Sequence, residues 1–215
     1  MAFGVVCALI EASRSGKGQV VDAAMSDGSA TLMSMIYGLH AQGHWSTERE
    51  DNFLDGAAHF YGTYECADGG FVSIAAIEPQ FYQLLLEKLE IDNEAFHKQW
   101  SKERWRSLRE RLTALFLTRE RAHWCELLES SDACFSPVLD LYEAPQHPHN
   151  VARKTFVEIA GVTQPAPSPR FSRTPGFIRS PAPKPGSDTA DILSAAGYSP
   201  SELGALLATG AAHVY

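Results

Sequence analysis

ADGGFVSIAAIEPQFY, residues 67–82, ends an apolar run on a carboxylate, Glu78, placed directly before a proline. Val72, Ile74 and Ala76 fall on one side of an extended chain, while Phe71, Ala75 and Ile77 fall mostly on the other. A run that is apolar on both sides predicts a covered strand, fed by the turn Asp68-Gly69-Gly70. Pro79 holds Glu78 in extended geometry and suits the first position of a helix. That helix reads Phe81, Leu84, Leu85 and Leu89 inside, with Gln80, Gln83, Glu87 and Glu90 outside. Glu78 is thus expected at a strand-to-helix junction, where α/β-type folds often place their chemistry. The same position would also suit a carboxylate that merely complements the helix dipole, a contribution of about 0.3–1 kcal/mol.

Working outward, Gly62–Glu65 is the expected partner strand. Toward the N-terminus, Phe3, Val5, Val6, Leu9 and Ile10 predict a helix apolar nearly all round, a pattern that normally means burial. It starts at residue 1 without a capping residue, as a chain beginning in mid-fold would. SRSGKGQ, 13–19, is a turn whose glycine and lysine spacing does not match a phosphate loop. Residues 19–22 form a short strand candidate, and a helix to about His40 carries Leu32, Met35, Ile36 and Leu39 on one face. Met25, Met33 and Met35 are expected to fill core space.

Toward the C-terminus, Ser101 and Thr118 are candidate caps for two helices. The first carries Trp105, Leu108, Leu112 and Leu115, the second Ala122, Cys125 and Leu128. CFSPVLD, 134–140, reads as a strand that Pro137 confines to an edge or bulge. Seven of the twelve prolines crowd PAPSPRFSRTPGFIRSPAPKP, 165–185, an extended connector. Two helices, about 188–197 and 200–209, close the chain with Ser187 and Ser199 as caps.

The chain has 215 residues, 45% of them hydrophobic, enough to bury a real core. Its formal charge of −8 argues against nucleic acid or an anionic membrane as the main partner. Cys7, Cys66, Cys125 and Cys134 form no CxxC pair, the usage of a reducing, cytoplasmic compartment. No apolar run is long enough to span a bilayer.

Self-contained chemistry is sparse. There is no GxSxG elbow and no GxGxxG loop. His147 and His149 stand among prolines with no third ligand at zinc-site spacing, so no metal is expected. His59 could act as a base if it lay near Glu78, but a lone histidine among aromatics is more often packed or solvated.

Four strings together resemble the α-methylacyl-CoA racemases, within the wider family III CoA-transferases. They are SGKGQVVDAAMSDG (15–28), NFLDGAAHFYGTYECADGGFVSIAAIEPQFY (52–82), SDACFSPVL (131–139) and SDTADILSAAGYSPSELGALL (187–207). The AIEPQFY and SDACFSPVL strings point to the racemases more narrowly than the other two.

The resemblance implies an α+β small domain flanked by helical remnants of an α/β, Rossmann-like large domain. On that basis residues 1–45 (helix, short strand, helix) end the large domain and 46–163 form the small one. Residues 164–186 are the Pro-rich connector, and 187–215 return to the large domain. It further implies interlocked homodimers that act on acyl-CoA, with coenzyme A as part of the substrate and no separate cofactor. Racemases of this family exchange the α-proton of a 2-methylacyl-CoA through an enolate. A histidine and an aspartate carry the proton, and a glutamate matching Glu78 supports the histidine. The proton carriers would precede the segment matching Met1, so neither His59 nor Asp22 is assigned to them, and no CoA-binding residue is assigned. His59 stands where relatives carry proline. The expected activity is racemisation, with this chain a truncated portion inactive by itself. CoA transfer between carboxylic acids and a non-catalytic partner of a longer relative are the alternatives.

Overall fold

The strand drawn from residues 71–76 is the middle of a three-stranded antiparallel sheet. The computed structural model describes residues 1–214. β1 (Tyr61–Glu65) pairs with β2 (Phe71–Ala75), with Thr63 opposite Ser73, and β2 pairs with β3 (Phe135–Val138), with Ser73 opposite Ser136. Pro137 lies on an edge strand, where its missing N–H leaves no ladder bond unmade.

Only one face of this sheet is covered. Val72, Ile74, Ala76 and Tyr64 are buried, whereas Phe71 is 44% exposed and Val138 41%. The expectation of a strand covered on both sides is therefore corrected. All the helices packed on the sheet lie on the Val72/Ile74 side. α5 (Lys102–Phe116) packs on β1, α6 (Arg121–Leu128) on β2 and β3, and α4 (Pro79–Lys88) on α6.

The core is aromatic at its centre. Phe60 is fully buried, with ring centroids of Trp100, Trp105 and Tyr82 at 5.0, 5.9 and 6.0 Å, all edge-on. Helix α5 buries Trp105, Leu108, Leu112 and Phe116, the 3.6-residue stripe expected of it, with Leu115 at its margin. Ser101 is its N-cap, but the side chain makes no cap bond. Thr118 caps nothing: its hydroxyl donates back to Leu115 O at 2.6 Å, and Glu120 is the N-cap of α6.

Within the same unit, residues 1–138, the N-terminal helices α1 (Ala2–Ser15), α2 (Met25–Leu32) and α3 (Ser34–Ala41) bury no residue. Phe3 is 83% exposed and Leu9 64%, so the apolar first helix lacks the cover its pattern predicts. Met25, Met33 and Met35 are exposed too and fill no core. Gly16 ends α1 in the left-handed conformation (φ 72°), confirming a turn. Residues 19–22 form no strand, because a strand needs a neighbour and none of the described residues pairs with them.

The second unit, from Leu139 onward, has no fully buried residue among those described. It holds α7 (Pro148–Arg153) and a hairpin of β4 (Phe156–Ile159) with β5 (Val162–Pro165). The hairpin turns through Ala160 (φ 51°) and Gly161 (φ 79°), both left-handed as a two-residue type I′ loop requires. Residues 166–185 carry no regular structure. In α8 (Thr189–Ala195) Asp188, not Ser187, holds the N-cap position. α9 (Pro200–Ala208) opens with a full capping box between Ser199 and Glu202.

Candidate functional site

Glu78 stands where the sequence places it, as the N-cap of α4 with extended backbone (φ −72°, ψ 142°) and Pro79 at the first helical turn. Its carbonyl accepts the amides of Phe81 (3.1 Å) and Tyr82 (3.0 Å), which starts the helix. Its side chain makes no cap bond and is exposed. A glutamate is one methylene too long to fold back comfortably on its own helix terminus.

The junction is pinned by Gln99, which no motif or spacing in the sequence marks. Gln99 is 7% exposed, and its Nε2 donates to both Ala76 O (3.0 Å) and Ile77 O (2.9 Å). Gln99 is fixed in turn because Trp105 Nε1 donates to its carbonyl at 2.8 Å. On the other side, Ala76 N donates to Phe60 O (3.1 Å) and Ala75 N to Cys134 O (2.9 Å). Every backbone group leading into Glu78 is thus tied down while its carboxylate is left uncommitted. Replacing Gln99 with leucine should strand two inward carbonyls and cost about 2 kcal/mol in urea unfolding. A loss below about 0.5 kcal/mol would show that the junction holds without it.

Cys134 lies beside this carboxylate in a left-handed conformation (φ 51°). Burial first, and then the nearby Glu78 and Asp132 carboxylates, push its thiol pKa up. It is a protonated neighbour at neutral pH and not a nucleophile. A groove of about 760 Å³ runs along α4 from Pro79, floored by Tyr82, Leu86 and Ile91 and rimmed by Glu87, Glu90 and Asp92. Glu78 is not among its lining residues.

His59 is not brought to Glu78. It is fully buried, edge-on to Phe60, Tyr82 and Phe96. The Tyr82 hydroxyl donates to Phe96 O (2.9 Å), so its oxygen must accept from His59 Nε2–H (2.7 Å). That fixes the tautomer and leaves Nδ1 a buried lone pair with no donor. Tyr64 Oη donates to His59 O at 2.5 Å, locking the backbone as well. The imidazole is a packing group.

Burial lowers the His59 pKa from 6.5 to about 4. As pH falls, the unfolded chain takes up this proton first. The contribution of neutral His59 to stability is therefore full above about pH 6.5 and is lost as pH falls from there toward 4, by up to about 3 kcal/mol. His59→Phe should flatten the dependence of the urea midpoint on pH across that window. An unchanged slope in the variant would place the titrating group elsewhere.

His147 is the N-cap of α7 and His149 lies within that helix, so the pair sits at a helix start. No three of His, Cys, Asp and Glu gather to hold a metal among the described residues. The arrangement around Glu78 can accept a hydrogen bond from a donor brought to it, such as an imidazole N–H. It does not by itself assemble an acid and a base around a substrate carbon.

The model of CoA-transferase family III matches residues 1–189. The chain is 39% identical to α-methylacyl-CoA racemase of Mus musculus over 203 residues, covering 94% of this chain and 53% of the relative. The Homo sapiens racemase is 38% identical over 207 residues, with the same coverage on both sides. The chain thus spans about half the length of the curated relatives it matches. A CaiB/BaiF family protein of Brucella suis shares the fold, with a TM-score of 0.66 at 24% identity over 90% of this chain and 52% of that one.

Proposed function

The chain belongs to CoA-transferase family III, and on that footing we propose that it serves racemisation of 2-methylacyl-CoA thioesters by α-proton exchange through an enolate. One observation carries this: 38–39% identity to α-methylacyl-CoA racemases over 94% of the chain. Within that match, the AIEPQFY string folds into a junction whose backbone is fixed and whose carboxylate is free.

Removing a proton beside a thioester needs a base tuned near neutral pH and rigidly aimed at the carbon. A carboxylate hydrogen-bonded to a histidine fixes its tautomer and raises its basicity. Glu78 is suited to that supporting task because Gln99, Phe60 and Cys134 hold the backbone of the three residues before it, 75–77, while no hydrogen bond among the described residues uses its side-chain oxygens. The proton-carrying histidine and aspartate would come from another polypeptide segment, in an assembly of interlocked protomers. The apolar residues uncovered on α1, Phe3 and Leu9 among them, support such an association. Four unpaired cysteines suit a reducing, cytoplasmic setting. No helix among the described residues is long and apolar enough to cross a membrane.

The 215-residue chain alone, incubated with 2-methylacyl-CoA in D₂O, is expected to place no deuterium at C2. Adding the portion of the mouse racemase that has no counterpart here should restore exchange without any acceptor acid. Exchange by the chain alone would overturn the assignment of Glu78 as a helper. Strict dependence on an acceptor acid would favour CoA transfer, the reaction in the family's name, in which an aspartate forms an anhydride with the acyl group.

A further inference from the structure

We propose that the groove along α4, which starts at the β2–α4 junction, binds an aliphatic polyamine, its ammonium groups held by acceptors at the rim and its methylene chains laid on the floor. The floor is Tyr82, Leu86 and Ile91, the rim is Glu87, Glu90 and Asp92, and no lysine or arginine lines it. None of the three carboxylates is in an ion pair among the described residues. Glu87 accepts one bond from Gln83 Nε2 at 3.0 Å, while the side chains of Glu90 and Asp92 make none among those residues. At about 760 Å³ the groove falls within the range of about 300–1,000 Å³ typical of small-ligand sites.

Gln99 makes this more than an acidic surface. It lines the groove although only 7% of it is exposed, and both hydrogens of its Nε2 are spent, on Ala76 O and Ile77 O. Its Oε1 is therefore the group it can offer a ligand, and no described residue donates to it. Among the described residues, a fully buried side-chain polar atom without a partner occurs only at His59 Nδ1, so Gln99 Oε1 keeps access to solvent where Gln99 lines the groove. An amide oxygen held in this way, rigid and short of a donor, is suited to an N–H brought from outside.

The end of α4 fixes the rim. Glu90 N donates to Glu87 O (3.1 Å) and Ile91 N to Leu86 O (2.9 Å), a chain reversal that holds Glu90 in the left-handed conformation (φ 55°) where glycine is usual. A glutamate there costs backbone strain and puts a carboxylate at the rim, while the same reversal sets Ile91 beside Leu86 on the floor. The groove thus presents three carboxylates and an amide oxygen around an apolar strip, with no fixed cation among them. Its complement is a row of cationic N–H groups spaced by methylenes, which bonds to the rim and covers the strip at once. A metal ion would leave the strip uncovered, and among the described residues these carboxylates do not gather closely enough to hold one.

The test titrates the 215-residue chain with spermidine, followed by calorimetry and by the side-chain amide resonances of Gln99. A single saturable site is expected, weakened by salt, with the Gln99 resonances shifting on the same curve. Ethylenediamine, which lacks the longer methylene spacers, should bind at least about tenfold more weakly. Glu87→Gln combined with Glu90→Gln alters two exposed side chains and should weaken spermidine about tenfold without changing the fold. Mg²⁺ bound as tightly as spermidine would reduce the groove to an acidic surface, and capped trilysine of equal charge bound more tightly would reassign it to a polypeptide. Either result would overturn the proposal. So would an absence of binding up to about 10 mM, or binding that leaves the Gln99 resonances unmoved or ignores the double substitution. Glu78 does not line the groove and no arm of the test reads α-proton exchange, so this proposal and the racemase reading fail separately.

Discussion

Phe60→Ala is expected to lower the unfolding free energy of the first unit by about 3–5 kcal/mol, the cost of removing a large buried ring where neighbours cannot collapse. Phe60 touches His59, Tyr82, Trp100 and Trp105 through edge-on contacts, so four rings would face the void. Its carbonyl also accepts from Ala76 N, which couples this core to the junction at Glu78. Urea unfolding followed by tryptophan fluorescence reads the effect directly, because Trp100 and Trp105 flank the lost ring. A loss below about 1 kcal/mol would mean that the sheet, and not the aromatic cluster, carries the stability of this unit.

Glu78→Gln is the second change with a large expected effect, on rate and not on stability. Glutamine keeps the length and shape of the side chain, and no internal hydrogen bond depends on the lost charge. The urea midpoint should stay within about 0.5 kcal/mol of the parent. In the pair reconstituted with the missing portion of the mouse racemase, C2 deuteration should fall on the order of 10²-fold, because an amide cannot stabilise the imidazolium formed as the histidine takes the proton. Unchanged exchange would reduce Glu78 to a complement of the α4 dipole.

What could be read from the sequence was local. The β2–α4 junction was legible because Pro79 fixes both its neighbour and the helix start. The buried stripe of α5 and the Ser199–Glu202 capping box were legible for the same reason, since periodicity and capping operate over four residues or fewer. The β4–β5 hairpin is not legible, because Ala160-Gly161 is a weaker turn signal than Asn-Gly, although it adopts the same left-handed pair. Residues 19–22 had strand composition but no described partner, and composition alone cannot supply one.

The site divides in the same way. The junction position of Glu78 is legible, but the anchoring by Gln99 is not, because its bonds to Ala76 and Ile77 join residues more than twenty positions apart. His59 could not be placed by spacing. Its environment of Phe60, Tyr82 and Phe96 exists only after α4 and the loop following it pack together.

The most direct test of the role given to Glu78 is a crystal structure of this chain assembled with the complementary racemase portion and an unreactive 2-methylacyl thioether. A Glu78 carboxylate oxygen should lie about 2.6–3.2 Å from a histidine ring nitrogen whose other nitrogen faces C2 of the acyl group. A Glu78 side chain directed into bulk water, with no histidine within hydrogen-bonding reach, would contradict it.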